Sequence, residues 1–578
     1  MWSNVLYIDL DTGEHQVKDR ADLFDKYLGG TGVATQLLLE ECPPGTDPFS
    51  PEAPIIFSIG PLNTIFPCVS KTVSMFKSPM TGELGESHAG GRLSMAMRFA
   101  GYDSIVIKGR AEKPCYLSIH DDEVKLKDAT SIWNVSSVEV IGKILRQVEP
   151  GKGRRSIMRI GEAGVNMVRY ANVNVDTYRH FGRLGLGAVF GSKNLKAIVI
   201  SGTEDVEIPD IAPYSKMYNK LYDAVVDTEV MDKYHDLGTA ANINVLNQLK
   251  GLPTRNLKQS GFENAENISG EYFADNLLLR KIACSNCPIG CIHIAMLKTT
   301  FQKGHEFEVN HISYDYELIY SLGTNLGINL AEDVLRLIER CERYGLDIMS
   351  TGGVLAWATE SYERDLITPP DTLGIALRWG DTNSYLKMID KIVEMPNKFY
   401  QTLAKGAVAA AAEYGGEDFA MSLGGLEIAG YHTGPASIVG QMVGVRHSHL
   451  DNGGYSIDQK AASKQLTEEQ MVDKLIYEDY WRMINNSLVA CLFARGVYGE
   501  QTIIDALASV GIKKTRDELE TLGREIFCAK YEFKKQQGFD VDKIKVPRRF
   551  YETISQLGMV KEETIREMLE LYKKKTGI

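Results

Sequence analysis

Three cysteines lie within eight residues of one another, at Cys284, Cys287 and Cys291, in the order CxxCxxxC. Pro288 and Gly290 bend the chain between them, so the three thiols can converge on one ligand. Thiolates are soft donors that select zinc or iron–sulfur clusters. Because the chain has no second CxxC motif, the spacing favours a [4Fe–4S] cluster, with zinc and buried structural thiols as the alternatives.

A cluster of this type needs a fourth ligand, and the spacing of the remaining cysteines does not identify it. The candidates are Cys42, Cys68, Cys115, Cys341, Cys491 and Cys528. Cys341 falls in a helical pattern, where a buried thiol is the simpler interpretation. The odd total of nine cysteines favours metal binding or catalysis over disulfide bonding.

Two N-terminal segments, 60–92 and 181–196, combine glycines with basic and hydroxyl side chains. Glycine lets backbone N–H groups approach a phosphate closely, and a basic side chain neutralises its charge. The segments therefore indicate a site for an anionic cofactor, although neither matches a P-loop or a GxGxxG fingerprint. The alternative is that they are turns of a β-rich domain, which also collect Gly, Ser and Lys.

The elements that must position these residues change character along the chain. Up to about residue 208, short apolar runs between turn residues predict strands. The predicted strands include Val5–Leu10, Ile55–Ile59, Ser104–Lys108, Cys115–His120 and Ala197–Ser201. Beyond a predicted linker at 204–213, apolar spacing of three and four predicts amphipathic helices. These include Tyr214–Val226, Leu330–Tyr344, Asn397–Ala412 and Glu562–Lys575.

A Gly-rich stretch at 413–425 predicts a second domain boundary. We therefore predict an α+β multidomain protein with a β-rich N-terminal domain followed by two mainly α-helical domains. The predicted domains are 1–208, 209–412 and 413–578.

Composition and charge limit the classes of function. The chain has 578 residues, of which 44% are hydrophobic and 24% charged, as in ordinary globular proteins. A formal net charge of −12 argues against a nucleic-acid or anionic-membrane partner, because both need a basic surface. No apolar run reaches the roughly 18 residues of a membrane span. Because the first residues show no export signal, we expect a cytoplasmic protein.

Seven motifs occur in an order that resembles the aldehyde:ferredoxin oxidoreductase family, whose members carry a tungsten bis-pterin cofactor beside a [4Fe–4S] cluster. The motifs are GPLN, KSPMTG, ESHAGGRLSMAMRFAGYDSIVIKG, GRLGLGAVFGSKNLKAI, CSNCPIGC, YELIYSLG and RYGLDIMSTG. The resemblance covers essentially the whole chain. It implies that residues 1–208 form the domain on which the pterin cofactor lies. It also implies that 209–412 carries the cluster motif and an active-site glutamate, and that 413–578 carries the fourth cluster cysteine.

The resemblance also assigns the cluster ligands. It implies that the three cysteines of the CxxCxxxC motif bind the cluster and that Cys491 is the fourth ligand. The family has D-x-x-G-L-C at this position, so Asn486, Val489 and Ala490 are departures. Asparagine can still hydrogen-bond a pterin ring, as the resemblance implies for Asn486 and Ala490, but it carries no charge.

A second pterin motif of the family, D-x-x-G-L-D, appears here as Glu342-x-x-Gly345-Leu346-Asp347. Glutamate in place of aspartate keeps the acceptor on a longer arm. Two acidic groups suit a pterin because its aminopyrimidine edge is rich in N–H donors. A solvated helix end is the alternative interpretation of the two carboxylates.

Further cofactor contacts are implied in the N-terminal domain. Lys71 lies where the family commonly has an arginine between pterin and cluster, and it keeps the charge but not the planar fork. Arg183 matches an arginine that contacts the cofactor. Beside the pterin phosphates and a bridging Mg²⁺, the resemblance implies His88, Ala89, Gly90, Gly91 and the backbone of Leu184.

The family reaction implies catalytic side chains. An aldehyde is oxidised to a carboxylic acid, water supplies the oxygen, and electrons leave through the cluster to ferredoxin or an iron–sulfur subunit. Glu317 matches the family's active-site glutamate, and we expect burial to raise its pKa so that it acts as a general base near neutral pH. Tyr316 is a candidate donor to the substrate oxygen, with core packing as the alternative.

The family also has a histidine shortly before the fourth cysteine, and this sequence offers three. We prefer His449 to His447 because of its place after Arg446, and His432 is a further candidate. The sequence does not distinguish tungsten from molybdenum. The resemblance leaves both a homodimer and a hetero-oligomer with a small iron–sulfur subunit open.

Two other functions compete with aldehyde oxidation. The first is ring reduction by a tungsten subunit of the benzoyl-CoA (aryl-CoA) reductase type, which shares the cofactor fold and works with iron–sulfur partner subunits. A cysteine just after Glu317 could bind the metal in such relatives, and this chain has none between Cys291 and Cys341. The second is a non-catalytic iron–sulfur electron-transfer subunit, which would need the four cysteines but neither Glu317 nor Arg183.

Overall fold

In the computed structural model, which describes residues 3–302 and 306–578, the N-terminal part of the chain forms two six-stranded sheets. The strands are β1 (Asn4–Asp9), β2 (His15–Asp19), β3 (Ile55–Ser58), β4 (Thr72–Lys77), β5 (Leu84–Ala89), β6 (Ser104–Lys108), β7 (Cys115–His120), β8 (Glu123–Asp128), β9 (Ser156–Arg159), β10 (Val173–Val175), β11 (Arg179–Phe181) and β12 (Leu195–Ser201). Their orders are β2-β1-β6-β3-β4-β5 and β11-β10-β9-β12-β7-β8.

Strands β1 and β6 pair in parallel, as do β7 and β12, and the other neighbouring strands pair antiparallel. All residues of β3, β4 and β12 are buried, so both faces of each sheet are covered at these strands, whereas the edge strands β2 and β8 are largely exposed. The helices of this part are α1 (Ala21–Tyr27), α2 (Gly30–Glu41), α3 (Leu93–Phe99), α4 (Thr130–Trp133), α5 (Val138–Val148), α6 (Glu162–Val165) and α7 (Leu186–Ser192).

The rest of the chain is mainly helical, which confirms the predicted fold class. Its helices are α8 (Ile211–Val226), α9 (Glu229–Asp236), α10 (Asn242–Gln248), α11 (Gly270–Asn276), α12 (Tyr316–Leu322), α13 (Ala331–Tyr344), α14 (Ile348–Glu363), α15 (Thr382–Glu394), α16 (Lys398–Leu403), α17 (Ala407–Tyr414), α18 (Pro435–Val443), α19 (Gly454–Lys464), α20 (Glu468–Ser487), α21 (Glu500–Ser509), α22 (Arg516–Gln536), α23 (Arg549–Glu552) and α24 (Glu562–Thr576). Within the described ranges, no helix is both long enough and apolar enough to cross a membrane.

Two features differ from the predicted helical pattern. Within the described residues, β13 (Leu278–Ile282), β14 (Ile292–Gln302) and β15 (Glu306–Tyr314) form an antiparallel sheet inside the helical part, and β16 (Ser422–Leu423) pairs with β17 (Leu426–Glu427). The helix predicted at 397–412 is two helices, α16 and α17. Gly406 separates them at φ +106°, a conformation that glycine tolerates and a helix does not contain.

The C-terminal helices pack directly on the N-terminal sheet. Helix α2 lies against α20 and α22, and buried apolar residues of these helices and of β4 belong to one continuous core. Gly30 permits this close approach because a Cβ there would collide with the carbonyl oxygen of Asn486. The packing fixes the end of α20, and with it the segment that leads to Cys491.

Candidate active site

The CxxCxxxC motif lies in the loop between β13 and β14 and is bonded to the N-terminal domain. The backbone N–H and the hydroxyl of Ser285 both donate to the carbonyl of Gly91, at 2.9 Å each. A Cβ on Gly90 would lie 2.7 Å from Cys284 Sγ, so only glycine lets the loop come this close. The glycines of the first Gly-rich segment therefore seat the cysteine loop.

Cys491 reaches the same place from the end of α20. Its backbone N–H donates to the carbonyl of Cys68 at 2.9 Å, and the N–H of Cys68 donates to Asn286 at 3.0 Å, inside the CxxCxxxC motif. Cys68 thus joins the two segments that carry the predicted cluster ligands. It was one of six open candidates from the sequence, and the chain places it 219 residues before Cys287.

The two pterin motifs share a conformational requirement. Gly345 ends α13 at φ +75°, and Val489, its counterpart in the second motif, adopts φ +56°. The left-handed region suits glycine and costs a β-branched residue roughly 1 to 3 kcal/mol. The structure therefore explains why the family has glycine where this chain has Val489.

Lys71 lies between the thiols and a polar cavity. A Cβ on Gly90 would lie 3.2 Å from Lys71 Nζ and 2.7 Å from Cys284 Sγ, so both groups lie against this glycine. Burial alone would lower the pKa of the Lys71 ammonium, but the thiolates of Cys491, Cys284 and Cys291 outweigh it and raise this pKa. Lys71 would place a positive charge beside the thiolates of a bound cluster.

The donor set fits an iron–sulfur cluster. A [4Fe–4S] cluster binds one thiolate at each iron, so its four cysteines surround a volume and do not meet at one atom. Four thiols and one lysine supply soft donors and a compensating charge. In residues 3–302 and 306–578, no group of three or more His, Cys, Asp or Glu side chains is close enough to hold a single metal ion.

A polar cavity of about 190 Å³ adjoins these thiols, between the N-terminal sheets and the helical part. The predicted cofactor residues that line it are Lys71, His88, Gly90, Arg183, Glu342, Leu346 and Asp347. Among the polar lining residues that the sequence analysis did not predict are Asn172, Arg179 and His180, which precede the second Gly-rich segment. The structure thus brings residues from both Gly-rich segments to the D-x-x-G-L-D-like motif.

The cavity presents acceptors suited to a ring with N–H donors. Asn172 is buried and donates to the carbonyl of Leu346 at 2.8 Å, while its Oδ1 atom has no partner among the described residues. Glu342 also lines the cavity, where its Oε2 atom pairs with His180 Nε2 at 2.7 Å. A buried acceptor without a partner is costly, so these groups fit the aminopyrimidine edge of a pterin.

Arg183 and Asp347 form the opposite wall. Arg183 Nε donates to Asp347 at 3.0 Å and its Nη2 donates to the carbonyl of Glu427 at 2.8 Å. Asp347 also caps α14 by accepting from the N–H of Met349 at 3.0 Å. The carboxylate is therefore held in one orientation by a helix N-terminus and an arginine.

The Ser350 hydroxyl connects Asp347 to a second carboxyl group, that of Glu427. The Ser350 hydroxyl lies 2.7 Å from Asp347 Oδ2 and 2.7 Å from Glu427 Oε2. One hydroxyl has one proton and cannot donate to both, so one of the carboxyl groups must itself be protonated. Burial raises the pKa of Glu427, which favours its neutral form.

We therefore expect Glu427→Gln to change the free energy of unfolding by less than about 1 kcal/mol, because the amide can replace a neutral acid. Glu427→Ala should cost about 1–3 kcal/mol, since it leaves the buried Ala407 N–H without its partner and removes one of the two carboxyl groups that contact Ser350. Chemical denaturation of both variants tests this. An equal loss in the two would mean that Glu427 is ionised in the native protein.

The two residues predicted beside a magnesium ion already have protein partners. His88 bonds to Glu86 at 2.7 Å, and the carbonyl of Leu184 accepts from the Ser78 hydroxyl at 2.8 Å. Magnesium prefers an octahedral set of oxygen ligands. His88 and Leu184 do not make such a set.

Glu317 forms the centre of the candidate catalytic group. It lies in the first turn of α12, whose N-cap is Asp315. The Tyr431 hydroxyl donates to Glu317 Oε1 at 2.7 Å, and His449 Nε2 lies 3.2 Å from the same oxygen. The Tyr431 ring stacks on His449 and on Tyr455, with centroid distances of 5.1 and 4.3 Å. The sequence analysis named His432 as a candidate but did not predict a role for the preceding residue, Tyr431.

The expectation that burial raises the pKa of Glu317 is wrong. Burial does act in that direction, but the hydrogen bonds from His449 and Tyr431 to the carboxylate outweigh it and lower the pKa. Glu317 is thus a fixed carboxylate that orients the His449 ring. His449 Nδ1 is buried and has no partner among the described residues, so it is the group left open to accept a proton.

The other candidates near Glu317 have structural bonds. His447 contacts Glu83 at 2.8 Å and Lys534 at 3.1 Å, and His432 bonds to the carbonyl of Thr553 at 2.9 Å. The Tyr316 hydroxyl donates to the carbonyl of Gly430 in a fully buried position. Of the three histidines, His449 is the one that the structure brings to Glu317.

A buried ionic network joins this region to α22. Lys530 and Lys534 lie four residues apart on one face of the helix and have no solvent exposure. Lys530 bonds to Glu86 at 2.5 Å, and Lys534 lies 3.2 Å from Glu83. The network connects β5 and the residue before it to helix α22. His88, in β5, bonds to Glu86 and also lines the cavity.

Comparison with known proteins gives one consistent result. The family model "Aldehyde ferredoxin oxidoreductase, N-terminal domain" matches residues 5–202, and "Aldehyde ferredoxin oxidoreductase, domains 2 & 3" matches residues 216–577. A tungsten-containing aldehyde ferredoxin oxidoreductase of Thermococcus kodakarensis is 34% identical over the whole chain and 96% of its own length. The WOR-like subunit of an aliphatic sulfonate oxidoreductase of Pyrococcus furiosus is 32% identical over 70% of this chain and 66% of its own length.

A solved structure shares the fold at lower identity. It is the active-site complex BamBC of benzoyl coenzyme A reductase with 1,5-dienoyl-CoA, with a TM-score of 0.83 and 21% identity over 100% of this chain and 94% of that chain. The two family models together cover almost the whole sequence. The chain belongs to the aldehyde ferredoxin oxidoreductase family.

Proposed function

We propose that this protein is a tungsten- or molybdenum-pterin oxidoreductase that oxidises an aldehyde to a carboxylic acid. Electrons leave through a [4Fe–4S] cluster to ferredoxin or to an iron–sulfur partner subunit. The observation that carries the proposal is the position of Lys71, which lines the cavity and lies beside the cysteine thiols. A cofactor in the cavity and a cluster bound by the thiols would both lie next to the Lys71 side chain. This short separation would allow electrons to pass between them. Relatives named as tungsten-containing aldehyde ferredoxin oxidoreductases support the same activity.

Residues on both sides of the cavity are proposed to hold the pterins. Glu342 and Asp347 would accept hydrogen bonds from one ring, and Arg183 would neutralise anionic groups. Asn486 and Ala490 would contact the other ring beside Cys491. When bound, the metal pterin supplies a Lewis acid and a two-electron acceptor. Because His88 and Leu184 lack the character of a magnesium site, we do not include magnesium in the proposal.

The chain's own groups would handle water and protons. Glu317 keeps its carboxylate towards His449 Nε2, which leaves the Nδ1 lone pair to accept a proton from water as it attacks the carbonyl carbon. Tyr431 fixes Glu317 from its other side. Aromatic rings around the pair limit access of bulk water and strengthen these interactions.

We also propose the domain boundaries 1–208, 209–412 and 413–578. The first boundary is supported by the interval between the two family models, which lies between residues 202 and 216. The second falls at the start of the Gly-rich stretch 413–425, in the last turn of α17 and shortly before β16. The substrate-facing pair Glu317 and His449 would then come from two different domains.

Metal analysis of anaerobically purified protein tests the proposal. We expect tungsten or molybdenum near one atom per chain, about four irons per chain, and reduction of a viologen dye by simple aldehydes. Iron without either heavy metal would instead favour the electron-transfer subunit. Both metals with no aldehyde oxidation, but turnover of an aryl-CoA ester, would favour the ring-reducing alternative.

A further inference from the structure

A fifth thiol lies at the predicted cluster site. Cys68 is 1% exposed, and its Sγ atom is 3.6 Å from Cys287 Sγ, within hydrogen-bonding distance for two sulfur atoms. The family motifs account for four cysteines, and none of them includes Cys68. Its position beside a predicted iron ligand therefore needs its own explanation.

The loop around Cys68 is built to hold this thiol. Cys68 adopts φ +64°, a left-handed conformation that is unusual for a residue with a side chain. Its N–H and C=O bond to Asn286 and Cys491, so both neighbouring segments fix its backbone. The Asn286 amide also donates to the carbonyls of Thr64 and Phe66, at 3.1 and 2.8 Å. A strained conformation held from several sides indicates that the direction of the side chain matters.

The chemistry of the pair decides which sulfur donates. A cysteine bound to iron is a thiolate and has no proton, so only Cys68 can supply the S–H. We propose that Cys68 donates a hydrogen bond to the cluster ligand Cys287 and raises the reduction potential of the cluster. The inference rests on the proposed cluster but concerns its tuning, not its presence.

The direction of the effect follows from charge. Reduction adds one electron to the cluster and its thiolates, and a donor pointed at a ligand sulfur stabilises that added charge. Loss of the donor therefore favours the oxidised state. Cys68 acts through Cys287 and is a positioning and tuning residue, not a ligand.

The test compares variants of the holoenzyme by redox titration of the cluster, followed by electron paramagnetic resonance, together with iron content. In Cys68→Ala we expect a roughly tenfold lower ratio of reduced to oxidised cluster at a fixed potential. For a one-electron couple this corresponds to a reduction potential lower by about 59 mV. Cys68→Gly should behave alike, and it suits φ +64° without strain, so it remains informative if the alanine variant folds poorly. Cys68→Ser, which keeps a donor, should lie closer to the wild type.

Cys115→Ala is the matched control, because Cys115 is also a buried free thiol but lies in β7. It should leave the potential unchanged. An unchanged potential in both Cys68→Ala and Cys68→Gly would overturn the inference, and so would loss of cluster iron from both, which would make Cys68 a ligand. A wild-type protein without any cluster signal would instead refute the proposed function.

Discussion

Glu317→Gln should retain metal and iron at wild-type levels and lose aldehyde-oxidising turnover by about 10²- to 10⁴-fold, the usual contribution of positioned acid–base catalysis. The carboxylate is the acceptor for both Tyr431 and His449, at 2.7 and 3.2 Å. A neutral amide of the same shape keeps the packing but no longer stabilises the imidazolium that forms when His449 takes a proton. Steady-state kinetics with metal analysis of the same preparation measure both quantities.

The matched control is Glu332→Gln, an exposed glutamate in the first turn of α13, which should keep full turnover. His449→Gln should lose activity to a similar extent. Because the two groups act as one unit, the double variant should be little worse than either single variant. Full activity of Glu317→Gln, with the metals in place, would remove Glu317 from the mechanism.

Lys530→Met should destabilise the protein by about 3–5 kcal/mol, the cost of leaving a buried charge without its partner. Lys530 and Glu86 are 2.5 Å apart and neither is exposed. Burial alone would raise the pKa of Glu86, but Lys530 and His88 outweigh it and hold this pKa well below its usual value. Without Lys530 the buried carboxylate keeps its contacts to His88 and Thr31 but loses its nearest cation, and this loss costs folding free energy.

Chemical denaturation at pH 7 measures the loss, with Lys535→Met, at an exposed position of the same helix, as the control. The double variant Lys530→Met/Glu86→Gln should recover most of the stability, because it leaves no charge behind. If Lys530→Met matched the control, the ion pair would contribute nothing to the fold.

The same pair sets a pH dependence. Because the folded-state pKa of Glu86 is lowered, its contribution is complete above the unfolded value of about 4.3 and is lost as pH falls through the folded value. Stability of the wild type should therefore decline in this acid range. The double variant should lose that part of the decline.

Local features of the fold were predictable from the sequence. Alternating or helical apolar patterns predicted β1, β12, α8, α13 and α24 closely, and the CxxCxxxC motif lies in one loop, between β13 and β14. Where a local pattern is ambiguous, the prediction failed. The helix expected at 397–412 is broken at Gly406, and the sheet of β13 to β15 was not anticipated.

The candidate site depends more strongly on tertiary structure. His447 and His449 are two residues apart, and the sequence favoured His449 only by its place after Arg446, yet in the structure one contacts Glu83 and the other Glu317. The direction of the Glu317 pKa shift also depends on tertiary structure. Burial, which raises this pKa, can be expected from the sequence, but the hydrogen bonds from His449 and Tyr431 that lower it cannot.

The sequence by itself determined the family, the fold class and the chemistry of the donors: soft thiolates, paired carboxylates and basic groups near glycines. These follow from residue type and short-range spacing, which the chain order fixes directly. Only the tertiary structure decided that Cys68 lies beside Cys287, that Ser350 joins Asp347 to Glu427, and that Tyr431 contacts Glu317. Most of these contacts join residues more than a hundred positions apart or in different elements, and they form only when apolar burial packs those elements together.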